Sequence, residues 1–237
     1  MLDSHASSKD LLLDNSYRTH LSPQAWIDYI PNYLDTEQAS TLMDALIHSQ
    51  DWEHRSISVF GKDVKQPRLM SWGGELPYRY SGQTLPIRPI PDELKAIWSD
   101  IERRYQHTFN HVVLNYYRDG KDHMGMHADD EKELGRNPLI VALSLGVSRL
   151  FTLEIKQRRR GRKKEKKRRV LALIENQTLE NKNEENKSRE QLPIDDRTQY
   201  PLGKRYQLML EHGSLMTMGG DLQHKWRHGV PLSLIHI

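Results

Sequence analysis

Two candidate metal ligands, His127 and Asp129, stand two positions apart, and a third, His228, follows about a hundred residues later. If the segment around His127 is extended, its side chain and that of Asp129 leave the same face of a strand, so they can share one metal. Bringing His228 to the same point requires the chain to fold back, so that distant segments become neighbours. A His-x-Asp alone arises often by chance. Its weight here comes from its surroundings: Asn115, Tyr117 and Gly120 precede it as Asn-x-Tyr-x-x-Gly, Ser144-Leu145-Gly146 and Arg149-x-Phe151 follow it, and the tail reads Trp226-Arg227-His228-Gly229-Val230-Pro231.

The hydrophobic pattern agrees with that demand. From His111 onward the chain reads as short β-rich segments, His111–Tyr117, Leu139–Leu145, Arg149–Ile155, Arg205–Glu211 and Ser214–Met218, separated by Gly, Asn or Pro turns. An antiparallel barrel or double-sheet jelly roll follows, with a mouth able to hold one small cosubstrate. Ahead of it, Leu42, Ala45 and Leu46 form a helical stripe behind an N-cap at Asp35 or Thr36. Leu94, Ile97, Trp98, Ile101 and Tyr105 form a second stripe starting near Pro91. Both read as supports packed on a sheet. Between them Trp52–Pro89 reads as loops and short strands, and residues 1–31 as an irregular leader.

The absence of cysteine fits a reducing compartment. The longest apolar run, Leu139–Val147, is too short to span a bilayer, and the first residues lack a basic segment followed by an apolar one. The expectation is a soluble, cytoplasmic protein without a membrane partner. The net charge is +3, but Lys156–Arg169 holds eleven Lys or Arg and one Glu, a charge of +10, which leaves −7 on all other residues. An acidic body with one basic run is not a uniformly basic binder. That run and the polar sequence after it are expected to form an insertion over 156–201, solvated as a loop. It can neutralise phosphates and add salt-sensitive affinity, and without interleaved aromatics it should not read sequence.

Two imidazoles and one carboxylate on one side of a metal form the facial triad of non-haem Fe(II) sites, with positions left open. With the motifs quoted above, the chain from Trp52 to Pro231 resembles the AlkB-type 2-oxoglutarate- and iron-dependent dioxygenases that repair alkylated nucleic-acid bases. The resemblance implies an α+β, mainly β fold, a double-stranded β-helix (jelly-roll) core with supporting N-terminal helices. Residues 32–110 would be the supports and a nucleotide-recognition lid, and 111–231 the dioxygenase core around the insertion. It implies an enzyme that demethylates N-alkylated bases in DNA, or alternatively RNA, using Fe(II), O2 and 2-oxoglutarate and releasing formaldehyde, succinate and CO2. A monomer is expected.

By the same resemblance, His127, Asp129 and His228 are the catalytic metal ligands, and Asn115 and Tyr117 hydrogen-bond 2-oxoglutarate. Asp130 and Glu131 would meet the polar edge of a flipped base. Methylation at adenine N1 or cytosine N3 makes the ring cationic, and a cation between an aromatic face and an anion is favoured. Arg68, Trp72, Tyr78 and Tyr80 match the lid. Tyr80 would sandwich the base against His127, or else be a core tyrosine. Phe60, at the tip of Ser58–Lys62, would fill the gap left in the base stack, or else be an ordinary core residue.

The family continues past this point into a strand whose arginines bind 2-oxoglutarate. Here Pro231 is followed by Leu-Ser-Leu-Ile-His-Ile, which reads as a translated sequencing adapter, so 232–237 are expected to be a non-native tail. An exposed strand edge and an unpaired dicarboxylate follow; weak 2-oxoglutarate binding and slow turnover are expected unless Arg149 or Arg227 substitutes. His123 is four residues from His127, but Gly120 and Gly125 disfavour a helix there. His212 and His224 read as surface or supporting residues, and His236 as no ligand. Two other classes stay open: a nucleic-acid-binding protein with a vestigial metal site, and a related oxygenase acting on RNA or protein.

Overall fold

The computed structural model describes residues 18–59, 61–80, 83–156 and 205–233. Its centre is a pair of four-stranded antiparallel sheets. The first has the order β1 (Arg18–His20), β2 (Ala25–Ile30), β13 (Ser214–Gly220), β10 (Ile140–Ser144). The second has the order β12 (Arg205–Leu210), β11 (Arg149–Ile155), β14 (Trp226–Val230), β9 (Met124–His127). Side chains from the two sheets meet in one apolar cluster: Ile27 and Met218 from the first, Phe151, Leu153, Trp226 and Val230 from the second. Strands that lie far apart in sequence alternate across this core, as the jelly roll requires.

Strand alternation explains which residues face inward. On β14, Trp226, His228 and Val230 are buried while Arg227 is exposed. On β12, Tyr206, Leu208 and Leu210 pack inward and Met209 is left on the outside. β13 is buried on both faces: Met216 and Met218 enter the core, while Thr217 receives the covering side, where its hydroxyl donates to Tyr105 at 2.7 Å.

Two helices cover the outer face of the first sheet. Helix α1 (Thr36–Ser49) starts with a capping box, in which Asp35 accepts from the Gln38 N–H at 2.8 Å and Gln38 accepts from the Asp35 N–H at 3.2 Å. Helix α2 (Lys95–Tyr105) continues a short 3-10 turn at Asp92–Leu94 and ends at Gln106 in the left-handed region. Leu42, Leu46 and Leu94 pack on Leu143 and Leu145 at the end of β10. Both helices are where the stripes place them.

The leader expected over 1–31 is not irregular where it is described. Arg18–His20 and Ala25–Ile30 form a hairpin whose second strand pairs with β13 from Leu215↔Ile30 to Gly220↔Ala25. Ala25 and Ile27 are fully buried, a burial worth roughly 1.5–3 kcal/mol for the isoleucine alone. Asp28 breaks the apolar pattern, and Arg18 satisfies it through two bonds of 2.8 and 2.9 Å.

The Trp52–Pro89 region forms a hairpin of β3 (Ser56–Val59) and β4 (Lys62–Lys65), a strand β5 (Leu69–Gly74) and a hairpin of β6 (Tyr78–Tyr80) and β7 (Gln83–Leu85). β5 pairs antiparallel with β8 (His111–Tyr116), setting Met70 opposite Asn115. The expected insertion over 156–201 lies outside the described residues except for Lys156. Its two flanks are adjacent, since β11 and β12 pair with Glu154 opposite Arg205.

Candidate metal centre

Strand register brings the three ligands together. His228, on β14 between β11 and β9, lies opposite Leu153 on one side and His127 on the other. Asp129 follows two residues beyond, past the end of β9. The nearest ligand atoms of all three lie within 4.8 Å of one another, and they are the only such cluster of three or more among the described residues. Asp129 Oδ1 is 3.5 Å from His127 Nε2, and Oδ2 is 3.4 Å from His228 Nε2. His228 sits on a central strand and is 5% exposed, while the His127 side chain, on an edge strand, is 31% exposed.

The donors fit a divalent transition-metal ion. His127 Nδ1 donates to the Gly125 carbonyl at 3.0 Å, which turns Nε2 and its lone pair toward the cluster. Phe151 stacks on the His228 ring at 5.4 Å and 26°, fixing its plane. The gaps between donors suit an ion held at about 2.0–2.2 Å from nitrogen and oxygen. Two imidazoles and a carboxylate on one side leave the opposite side free for further ligands.

The electrostatics favour an ionised Asp129. Burial would raise its carboxyl, but the hydrogen bond from His127 and the charges of both imidazoles hold it below the ordinary range. Burial would likewise lower His127; hydrogen bonding to Asp129, its charge and the Gly125 carbonyl outweigh that and hold the ring above its ordinary value, against an opposing push from the Arg68 guanidinium. Without an ion, the carboxylate and this imidazole therefore stabilise each other. A bound ion would take the place of the proton on His127 Nε2.

Around this centre the expected ligand residues fall into distinct places. Asn115 accepts from Arg68 Nε at 2.8 Å, and Arg68, 5% exposed, also donates to Gln66. The Arg68 guanidinium is near enough for its charge to act on His127. Tyr117 lies beneath the Arg149 guanidinium, 5.3 Å from its ring centre. Asp130 is exposed. Glu131 is half-buried, and one carboxylate oxygen is enclosed with no hydrogen-bond partner among the described residues. Its carboxyl is raised, by burial first and by the charges of Asp129 and Asp130 next.

Trp72 is a correction. Expected among the substrate-facing residues, it is 2% exposed, donates to the Pro86 carbonyl at 2.9 Å and is flanked by Arg88 at 3.7 Å and Arg55 at 5.1 Å. On β5 it packs among Arg55, Pro86 and Arg88 of the same Trp52–Pro89 region. Phe60 lies outside the described residues; Tyr78 and Tyr80 are on β6, where the backbone alone is described.

Arg149 and Arg227 have structural partners. Arg149 donates to the carbonyls of Asp122 at 2.8 Å, Pro231 at 3.0 Å and Asp119 at 3.3 Å. Arg227 reaches Glu154 at 3.6 Å. His212 bridges the Gly146 N–H and Ser40, a supporting role as its sequence context suggests. Sequence reasoning missed Gln223, which is buried and accepts from the Asp129 N–H at 3.0 Å. It also missed Gly229, where a Cβ would lie 2.7 Å from the Met124 carbonyl. A glutamine in a polar stretch carries no signal of such a contact; a glycine directly after a ligand on a strand does suggest close backbone approach.

The profile of the 2OG-Fe(II) oxygenase superfamily matches residues 27–234. The alpha-ketoglutarate-dependent dioxygenase alkB homolog 3 of Mus musculus is 31% identical over 220 residues, covering 91% of this chain and 64% of the mouse protein. That of Homo sapiens is 30% identical over 218 residues, with coverage of 91% and 64%. The DNA oxidative demethylase ALKBH2 of Arabidopsis thaliana is 30% identical over 215 residues, covering 86% of this chain and 60% of the plant protein. The chain thus spans less than two thirds of the length of these relatives.

Proposed function

Because the chain belongs to the 2OG-Fe(II) oxygenase superfamily, we propose that it oxidatively demethylates N-alkylated bases in nucleic acid, with DNA as the substrate and RNA as the alternative. The observation that carries this reading is the convergence of His127, Asp129 and His228, an Fe(II)-type donor set, in a chain similar to alkB homolog 3 and to DNA oxidative demethylases. When bound, the iron supplies oxidation of an N-methyl group by O2, coupled to decarboxylation of 2-oxoglutarate to succinate and CO2. The hydroxylated methyl group then leaves as formaldehyde without a dedicated acid or base.

The chain's own residues bind and orient. His127, Asp129 and His228 would hold the metal. Asn115 and Tyr117 are the proposed partners of 2-oxoglutarate. Arg68 supports this by fixing the Asn115 side-chain oxygen. Asp130 and Glu131, next to the metal ligands in sequence, are proposed to face the base; their negative charge suits a cationic methylated ring and gives nothing to a neutral one. Tyr80, on the β6 strand, is proposed as the stacking surface, and Phe60 as the wedge. A monomer is proposed as the working unit.

The test is formaldehyde release from methylated single-stranded DNA, duplex DNA and RNA, with Fe(II), ascorbate and 2-oxoglutarate supplied. Slow release from at least one substrate, abolished in His127→Ala, is the expected result, since Arg149 and Arg227 are engaged by other partners. Nucleic-acid binding without release, equal in the parent and in His127→Ala, would overturn it in favour of a binding protein with a vestigial metal site. That second reading draws its support from the +10 run over Lys156–Arg169.

A further inference from the structure

Asp129 is the one ligand that no strand holds. β9 ends at His127, and its ladder with β14 consists of His127↔His228 and Met124↔Val230 with a register shift between them. The Asp129 backbone N–H therefore lies outside strand pairing, and it donates to Oε1 of Gln223 at 3.0 Å. Gln223 is 1% exposed and stands in the helical turn Leu222–Lys225 that runs directly into β14. Its amide nitrogen lies 3.7 Å from the sulfur of Met218, on the first sheet.

We infer that Gln223 is a positioning residue of the metal centre, fixing the Asp129 peptide and with it the direction in which the carboxylate points. A carboxylate on an unpaired stretch of backbone swings with rotation about its own φ and ψ. Pinning the N–H to a buried amide oxygen removes that freedom, and in a water-poor setting such a bond is strong. The same short segment delivers both Gln223 and His228, so the second and third ligands are set relative to each other by one turn of helix. Partners of metal ligands commonly control affinity by about 10–100-fold. The inference rests on the metal-site reading of the preceding subsection.

The test uses Mn(II) titration of the metal-free protein, without turnover, together with hydrogen exchange of the Asp129 amide. Gln223→Leu removes the acceptor at similar volume, and Gln223→Glu keeps an acceptor oxygen. Expected are a Mn(II) Kd raised about 10–100-fold in Gln223→Leu, recovery of most of that loss in Gln223→Glu, and an Asp129 amide protected in the parent but fast-exchanging in Gln223→Leu. A folded Gln223→Leu with parental affinity, or an unprotected Asp129 amide in the parent, overturns the inference. Should Gln223→Leu not fold, exchange in the parent and the Gln223→Glu titration decide. A parent that binds no Mn(II) overturns the metal-site reading as well, whereas tight binding left unchanged in Gln223→Leu overturns this inference alone.

Discussion

His127 lies directly across from His228 on neighbouring antiparallel strands, their ring centroids 4.3 Å apart at 57°. Two ligands separated by about a hundred residues are thereby held by a single cross-strand pair. Replacing either with alanine should weaken Mn(II) or Co(II) binding by on the order of a hundredfold or more, exceeding the effect of losing a supporting partner. Isothermal titration of the metal-free variants measures it, and near-parental affinity in either one would remove that residue from the ligand set.

Backbone closeness at Gly229 keeps that pair in register. A methyl group there would lie 2.7 Å from the Met124 carbonyl and 3.1 Å from backbone atoms of Gly125. Gly229→Ala should push β9 away from β14, costing about 1–3 kcal/mol of stability and weakening metal binding although no ligand changes. Urea unfolding and a Mn(II) titration on the same sample check both effects; unchanged values would mean that β9 yields freely.

Phe151 joins the metal centre to the core. It is 6% exposed and stacks on the His228 ring. Phe151→Ala should destabilise the fold by about 3–5 kcal/mol and loosen the metal, while Phe151→Leu should cost under about 1.5 kcal/mol and leave a folded site. Denaturant unfolding of the two variants separates these outcomes, and equal losses would show that ring shape, rather than filled volume, is what the site needs.

Much of this arrangement is legible in the sequence for identifiable reasons. Arg149–Ile155 has the β-rich composition and flanking turns that mark a strand, and its observed bounds are the expected ones. The ligands are legible because a metal demands particular donor types and β spacing puts His127 and Asp129 on one side. β1 and β2 are not, since Asp28 interrupts the apolar pattern and its partner Arg18 is ten residues away across a turn. Trp72 is misplaced because an aromatic residue near a lid motif has the same local sequence whether it faces a base or a guanidinium. Gln223 is invisible: its hydrogen bond spans 94 positions and uses a side chain with no characteristic spacing.

Acid should unfold the protein partly through Asp122. The hydrogen bond from Arg118, first, holds this carboxyl below its ordinary value of 3.8. A lowered value in the fold means that folding favours the ionised form. Its contribution is therefore complete above about pH 4 and is lost as pH falls through the lower folded value. Asp122→Asn should be less stable than the parent at neutral pH, and the difference should shrink toward about pH 3. Thermal unfolding across that range checks the sign, since a constant gap would exclude the carboxylate as its source.

Removing Arg158–Arg169 should lower affinity for nucleic acid and flatten its dependence on salt. Every phosphate that is no longer neutralised reduces the slope of log K against log salt by about 0.9 on duplex DNA. Under the proposed function, the rate of demethylation at saturating substrate should be unaffected, as the metal ligands lie outside the deleted run. Fluorescence anisotropy over a salt series tests this, and an unchanged slope would end the idea.

The pairing of Glu154 with Arg205 means that the chain leaves the second sheet and re-enters it at neighbouring points. Whatever sequence connects those points, the ladder on either side closes in the same way, and extra length there costs only a slowly growing loop entropy. The junction thus behaves as an interchangeable port. A brief hairpin turn spliced across it should preserve the scaffold and its ligands, and cargo of another charge or length could be grafted in to retune what the protein attracts while leaving the metal centre as it is.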